Sequence, residues 1–322
     1  MRRGAVFAAT AVTSAFLLTG CQSTPIDNVS THTSVAPPLG VTPTVDPNPT
    51  REQATAMMPI ADLEPSDIDV YVAMGDSYAS MGSATGEKAD SSFCAKSKDN
   101  YPNELANRLG RSVEFTDATC QGSTTENIMG PRIEEDENVN IAPQIESLPR
   151  DADLVTISIG GNDMDFANIA RCINEMMEGS DRNCAQEFAL PTAQRLADLP
   201  SKLTAVHDEI RKQAPNAIVI ATGYTPLVSV EQQCELTEQV GREGVEWAVW
   251  LTAAINNAVK QSAEASGAIF VLPDDVEHHT SCAVPKERWA DIDGSDTNSY
   301  PAHPTPNGQE TMAKTVAEVL GR

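Results

Sequence analysis

Val70-Tyr71-Val72-Ala73-Met74-Gly75-Asp76-Ser77-Tyr78 decides how this chain is read. A short apolar run rich in β-formers stops at a glycine, and a serine follows two residues later. Such a run, bounded by turn residues, predicts a buried strand. In an open α/β sheet the ligand crevice lies beyond the carboxyl ends of the strands, so Ser77 stands where a reacting group is useful. A serine hydroxyl is a weak nucleophile by itself. It needs a base within hydrogen-bond reach and donors for the oxyanion formed when it attacks a carbonyl. Gly-Asp-Ser is also an ordinary turn, since glycine supplies positive φ and Asp or Ser bonds its own backbone. The rest of the chain has to discriminate.

Three further blocks do so. Gly122 follows the run Asp117-Ala118-Thr119-Cys120-Gln121, Gly160-Gly161-Asn162-Asp163 closes an apolar strand at 154–159, and His303-Pro304 precedes a final helix. In this order the blocks resemble the SGNH (GDSL-type) hydrolase family, over roughly residues 69–320. The resemblance implies Ser77 as nucleophile, His303 as base, and the Ser77 N–H, the Gly122 N–H and the Asn162 side chain as oxyanion donors. Many members carry an aspartate three residues before the histidine. Here that position is Tyr300. A main-chain carbonyl can hold a neutral histidine in the required tautomer, so Tyr300 is expected to act through its backbone only. Asp291, Asp293 and Asp296, upstream in the same loop, are the alternatives for a third member.

The other histidines are weaker candidates for the base. His32 lies in a Thr/Pro-rich tract, His207 in an amphipathic helical stretch, and His278-His279 after the acidic pair Asp274-Asp275. No HExxH or CxxC-type spacing accompanies them, so no metal and no cofactor is expected.

Alternating strands and helices predict a parallel sheet covered on both faces. Strands are expected at 70–74, 113–117, 154–159, 217–222 and 269–272, with helices near 101–109, 124–129, 192–213, 236–265 and 307–320. The resemblance implies a three-layer, flavodoxin-like α/β fold with five parallel strands in the order 2-1-3-4-5. The loops 82–100 and 171–188 are expected to shape an acyl site, whereas Met164, Phe166, Met176 and Met177 are read as helix core, with an apolar acyl groove as the alternative.

The amino terminus reads as a lipoprotein signal peptide over residues 1–20: Arg2 and Arg3, an apolar core at 5–18, then Leu18-Thr19-Gly20-Cys21. Cys21 is the expected lipidation site. The apolar core falls short of the roughly 20 residues that span a bilayer. Residues 21–66, rich in Thr, Pro and Ser, read as a linker holding a hydrolase domain at 67–322 away from the membrane.

The formal net charge of −24 argues against nucleic acid as a partner and against broad docking on anionic headgroups, since both need basic patches. With Cys21 set aside, Cys94, Cys120, Cys172, Cys184, Cys234 and Cys282 remain. An even count in an exported chain predicts three disulfides, for which about 15 connectivities exist. Sequential pairing closes local loops around the active-site blocks and resembles the three-bridge pattern of secreted SGNH esterases and lipases. The expected protein is a monomeric, extracytoplasmic, membrane-anchored serine ester hydrolase acting on lipid esters or acylated glycans. Acyl transfer to a sugar hydroxyl and non-catalytic ligand binding are the competing readings.

Overall fold

The computed structural model describes residues 68–88, 93–134 and 138–321. The expected signal segment, Cys21 and the whole linker lie outside the described residues. Five parallel strands build the central sheet: β1 (Val70–Gly75), β2 (Glu114–Asp117), β3 (Leu154–Ser158), β4 (Ile218–Thr222) and β5 (Ile269–Val271). Their order is 2-1-3-4-5, as the sequence led us to expect. The first strand lies between β2 and β3, in a register that sets Gly75 opposite Ser158 and Ala73 opposite Asp117. A strand flanked on both sides and covered on both faces can be apolar at successive positions. Residues 71–75 are accordingly all buried.

Among the described residues seven α-helices accompany the sheet: α1 (Ser77–Ser80), α2 (Tyr101–Leu109), α3 (Thr125–Met129), α4 (Phe166–Met177), α5 (Cys184–Gln213), α6 (Glu235–Ala265) and α7 (Pro306–Val319). The second packs on the seventh, and the fifth packs on the sixth, which gives the two outer layers. Local chemistry starts several of them. Asn100 accepts from the Asn103 N–H and Thr305 from the Gly308 N–H, each followed by a proline in the first turn. A side-chain cap satisfies one of the orphan amides of a helix start, and proline there forfeits nothing.

Two elements differ from expectation. Residues 171–177 belong to α4 instead of a loop, and α5 begins at Cys184 instead of residue 192. The fifth helix runs through Pro191 and Pro200, although each proline removes one i→i−4 hydrogen bond. Burial of Cys184, Ala185, Phe188 and Thr192 carries it past the first. Packing of an apolar face outweighs propensity in most protein helices.

The disulfides are Cys94–Cys120, Cys172–Cys184 and Cys234–Cys282, the sequential pattern. The first pins the loop after α1 beside Gly122, the second joins the middle of α4 to the start of α5, and the third ties the start of α6 to the loop that leads towards His303. A closed loop of these lengths contributes roughly 2–4 kcal/mol. No helix among the described residues is long and apolar enough to cross a membrane.

Candidate active site

The site begins where β1 ends. Gly75 has φ +134°, and a Cβ there would sit 2.3 Å from the Ser158 carbonyl oxygen of β3, so only glycine fits. Its N–H donates to Gln144 Oε1 at 2.7 Å, and Gln144 Nε2 returns a bond to the Gly75 carbonyl at 2.9 Å. The same Nε2 reaches Ser123 Oγ at 3.0 Å. One buried amide thus clamps the end of β1 to the loop carrying Gly122. Asp76 then caps α1, accepting from the Tyr78 N–H at 2.9 Å, and leaves Ser77 at the first helical position, 8% exposed.

His303 comes from a separate loop. A two-residue antiparallel pair, Ala290–Asp291 with His303–Pro304, anchors that loop just before α7. His303 Nε2 lies 2.8 Å from Ser77 Oγ, and its Nδ1 lies 2.6 Å from the Pro301 carbonyl oxygen. The orienting carbonyl is therefore Pro301 and not Tyr300. The reason is local: the Tyr300 carbonyl already accepts the backbone N–H of His303 at 3.3 Å, closing a turn with Ala302 at φ +60°. That turn aims the next carbonyl at the ring. An Nδ1–H donating to a carbonyl leaves Nε2 as the acceptor, the tautomer a base requires. Burial holds the His303 pKa below its ordinary value of 6.5, and the bond to Pro301 partly offsets this.

The upstream carboxylates are engaged elsewhere. Asp291 is buried, paired with Arg288 at 3.0 Å and accepting from Thr297 at 2.8 Å. Asp293 accepts from the Ser295 N–H at 2.5 Å, and Asp296 is exposed, with Arg288 at 3.9 Å. The loop 82–100, expected to shape an acyl site, instead braces the histidine loop. The Ala84 N–H meets the Asn298 carbonyl at 2.7 Å, and Thr85 Oγ1 meets its side chain at 2.7 Å.

On the oxyanion side, Asn162 follows β3 in a single 3₁₀ turn, Asn162–Met164. Its Nδ2 donates to the Ser123 carbonyl at 3.0 Å. This bond uses one of the two amide protons and orients the other. The N–H groups of Ser77 and Gly122 have no acceptor among the described residues. The cleft itself is lined by Ser77, Asn162, Phe166, Tyr224, Leu227 and Ile255, among others. Phe166 was expected in the helix core and lines the cleft; Met164 is core as expected.

Two contributors escaped the sequence reading. Gln144 is one, and Tyr224 is the other. Tyr224 Oη donates to Asp76 Oδ2 at 2.6 Å and accepts from the Gly161 N–H at 2.8 Å. Its ring packs where a Cβ on Gly161 would sit, only 2.9 Å away. Burial raises the Asp76 pKa to about 7, against the lowering effect of the Tyr224 bond. Tyr224 follows β4 on the same sheet edge as the other blocks, which is the one sequence signal that could have found it. The hydroxyl therefore ties the residue before Ser77 to the residue before Asn162. Removing it in Tyr224→Phe leaves two buried groups without this partner, each costing about 1–3 kcal/mol. The expected result is a ten- to hundredfold lower kcat with KM little changed in a protein that still folds. A proportional rise in KM with kcat intact would instead place Tyr224 in substrate binding.

Of the remaining histidines, His32 lies outside the described residues. His207 is buried in α5, where burial lowers its pKa to about 4. His278 bonds Asp275 at 2.5 Å on an exposed turn, close to Glu277, and His279 stacks on Trp289 with ring centroids 3.7 Å apart. None of the three described ones bonds Ser77 as His303 does.

Comparison with known proteins gives the family. Residues 73–311 match the model of the GDSL-like lipase/acylhydrolase family. The chain belongs to that family. It is a hydrolase acting on carboxylic ester bonds. Lipase 2 of Streptomyces coelicolor is 30% identical over 260 residues, covering 78% of this chain and 85% of the relative. The crystal structure of the extracellular lipase of Streptomyces rimosus superposes with TM-score 0.60 at 25% identity, covering 78% of this chain and 98% of that one. For phospholipase A1 of Streptomyces albidoflavus the TM-score is 0.58 at 23% identity, over 79% and 98% of the two chains. This last likeness speaks to the fold.

Proposed function

We propose that this family member is an extracytoplasmic serine esterase that works through an acyl-enzyme on Ser77, with lipid esters as its substrates. The observation that carries the reading is the chain Ser77 Oγ, His303 Nε2, His303 Nδ1 and Pro301 carbonyl, with links of 2.8 and 2.6 Å. Neutral His303 accepts the Ser77 proton as Oγ bonds to the ester carbonyl carbon. The carbonyl oxygen takes up the negative charge between the N–H groups of Ser77 and Gly122 and the amide of Asn162, each donor worth about 3 kcal/mol. His303 then passes the proton to the leaving alkoxide as the carbon–oxygen bond breaks. Water enters, His303 takes its proton, and the acid leaves with Ser77 restored. The dyad replaces a triad because a main-chain carbonyl fixes the ring.

Phe166, Leu227 and Ile255 beside the serine favour an apolar acyl group over a small polar one. The names of the relatives, Streptomyces lipases, point the same way. Three disulfides fit an oxidising compartment. Anchoring through Cys21, with residues 21–66 as tether, is the arrangement the amino-terminal sequence supports. A fluorophosphonate offered to the purified domain should label Ser77 stoichiometrically and abolish release of fatty acid from a synthetic ester. A labelled protein that keeps full activity would overturn the assignment.

A further inference from the structure

Gly122, read as an oxyanion donor, sits in a tight turn. The Ser123 N–H donates to the Cys120 carbonyl at 3.2 Å, with Gln121 and Gly122 between them. Gly122 has φ +70°, whereas Gln121 is not at positive φ. That combination is a type II turn, and flipping the peptide between its two central residues gives the type I form. A trans peptide points its C=O and its N–H in opposite directions. The flip would therefore put the Gln121 carbonyl oxygen where the Gly122 N–H should meet the oxyanion, exchanging a donor for an acceptor. The turn's own hydrogen bond does not prevent this, because it involves neither group of that peptide.

Arg132 does engage it. Its Nη1 donates to the Gln121 carbonyl, the other end of the peptide whose N–H belongs to Gly122. The guanidinium lies where a side chain on residue 122 would be: a Cβ there would sit 2.7 Å from Nη2 and 2.8 Å from Nη1. The Phe93 ring centroid is 5.5 Å from Arg132 Cζ, and Nε pairs with Glu134. Arg132 and Glu134 share one strand of a small antiparallel pair, Arg132–Glu134 with Val139–Ile141, separate from the central sheet. Gln121 has two further bonds, from its N–H to the Cys94 carbonyl at 3.2 Å and from Nε2 to the Phe93 carbonyl at 2.5 Å. Those fix its own amide and side chain and leave the following peptide to Arg132.

We propose that Arg132 is a positioning residue for ester hydrolysis, locking the Gln121–Gly122 peptide with the Gly122 N–H turned to the oxyanion. The proposal rests on the reading of Ser77 as nucleophile with Gly122 as a donor, and it adds the group that holds that donor. A bond from a guanidinium is charge-assisted and stronger than one between neutral groups. By polarising the carbonyl it also strengthens the N–H of the same peptide as a donor. With Nη1 on that carbonyl and Nε on Glu134, Arg132 acts through Gly122 and not on the substrate.

The test measures hydrolysis of a soluble short-chain ester together with inhibition by a trifluoromethyl ketone. The ketone carbon bonds to Ser77 Oγ, the hydroxyl proton passes to His303, and the ketone oxygen becomes a stable oxyanion. Deleting one oxyanion donor costs about 10²–10³ in kcat, so a donor left unlocked should cost at least tenfold. Arg132→Met keeps the alkyl stem. It should lower kcat by that amount, leave KM within twofold, and raise the Ki of the ketone by the same factor. General loosening of the domain would not tie the two losses together. Arg132→Lys keeps the charge and a donor and should recover part of both; it serves, with a paired loss of at least threefold, if Arg132→Met does not fold. A smaller loss, a loss carried by KM, or a loss with the Ki unchanged would overturn the role of Arg132 and leave the Ser77 reading standing. An unaltered domain that neither binds the ketone nor is labelled at Ser77 by a fluorophosphonate would overturn the Ser77 reading and this role with it.

Discussion

Ser77→Ala should lose ester hydrolysis by about 10⁶ in kcat, the scale seen when the nucleophile of a serine hydrolase is deleted. In the proposed mechanism the hydroxyl supplies the bond to the acyl carbon, and among the described residues it is the cleft hydroxyl that lies within hydrogen-bond reach of His303. Stability should change little. Ser77 has a single side-chain partner, His303, and its loss leaves an imidazole that is neutral and only half-buried. Gly75 and Asp76, which do hold the turn, bond through Gln144, Ser158, Tyr78 and Tyr224 and are untouched. Circular dichroism and the thermal midpoint should therefore match the unaltered domain while turnover disappears. A variant that retains even a hundredth of the activity would mean that another group is acylated.

What could be read in the sequence depended on whether a feature is written in side chains or in backbone. β1 was legible because a fully flanked parallel strand needs an apolar run, and 71–75 are all buried. The position of Ser77, Gly122 and Asn162 was legible because each follows a strand, so a doubly wound sheet delivers them to one edge. The carbonyl that holds His303 was not. Tyr300 and Pro301 offer chemically identical oxygens, and the choice is made by a turn through Ala302 at positive φ that no residue type announces. Gln144 and Tyr224 were invisible for a different reason. Each acts by bridging segments far apart in sequence, Gln144 between β1 and the Gly122 loop, Tyr224 between Asp76 and Gly161. Helix α4 could have been found, since Phe166, Ile169, Ile173 and Met176 recur at helical spacing. The upstream extension of α5 could not, because Pro191 argues against it locally and only tertiary burial overrules that.

His303→Ala should lower kcat by about 10⁴ to 10⁶, because Ser77 would keep its proton. The pH profile separates this loss from a structural one. In the unaltered enzyme kcat/KM should rise with pH through a limb below 6.5 and then level off, since the base acts only when neutral and burial holds its pKa under the ordinary value. The residual activity of His303→Ala should lack that limb. The carboxylates upstream should behave quite differently. Replacing Asp291, Asp293 or Asp296 by Asn should cost less than tenfold in turnover per folded molecule, below about 1.4 kcal/mol of barrier. Asp291→Asn should nonetheless lower the thermal midpoint, because it breaks a buried pair with Arg288. A true catalytic aspartate, replaced by asparagine, leaves the wrong histidine tautomer and lowers turnover by about 10⁴ in the well-studied triad. Here the Pro301 carbonyl makes that bond, and a carbonyl cannot be mutated away. A collapse of about 10⁴ at any one of the three aspartates would therefore show that a carboxylate displaces Pro301 during turnover and that the dyad works as a triad.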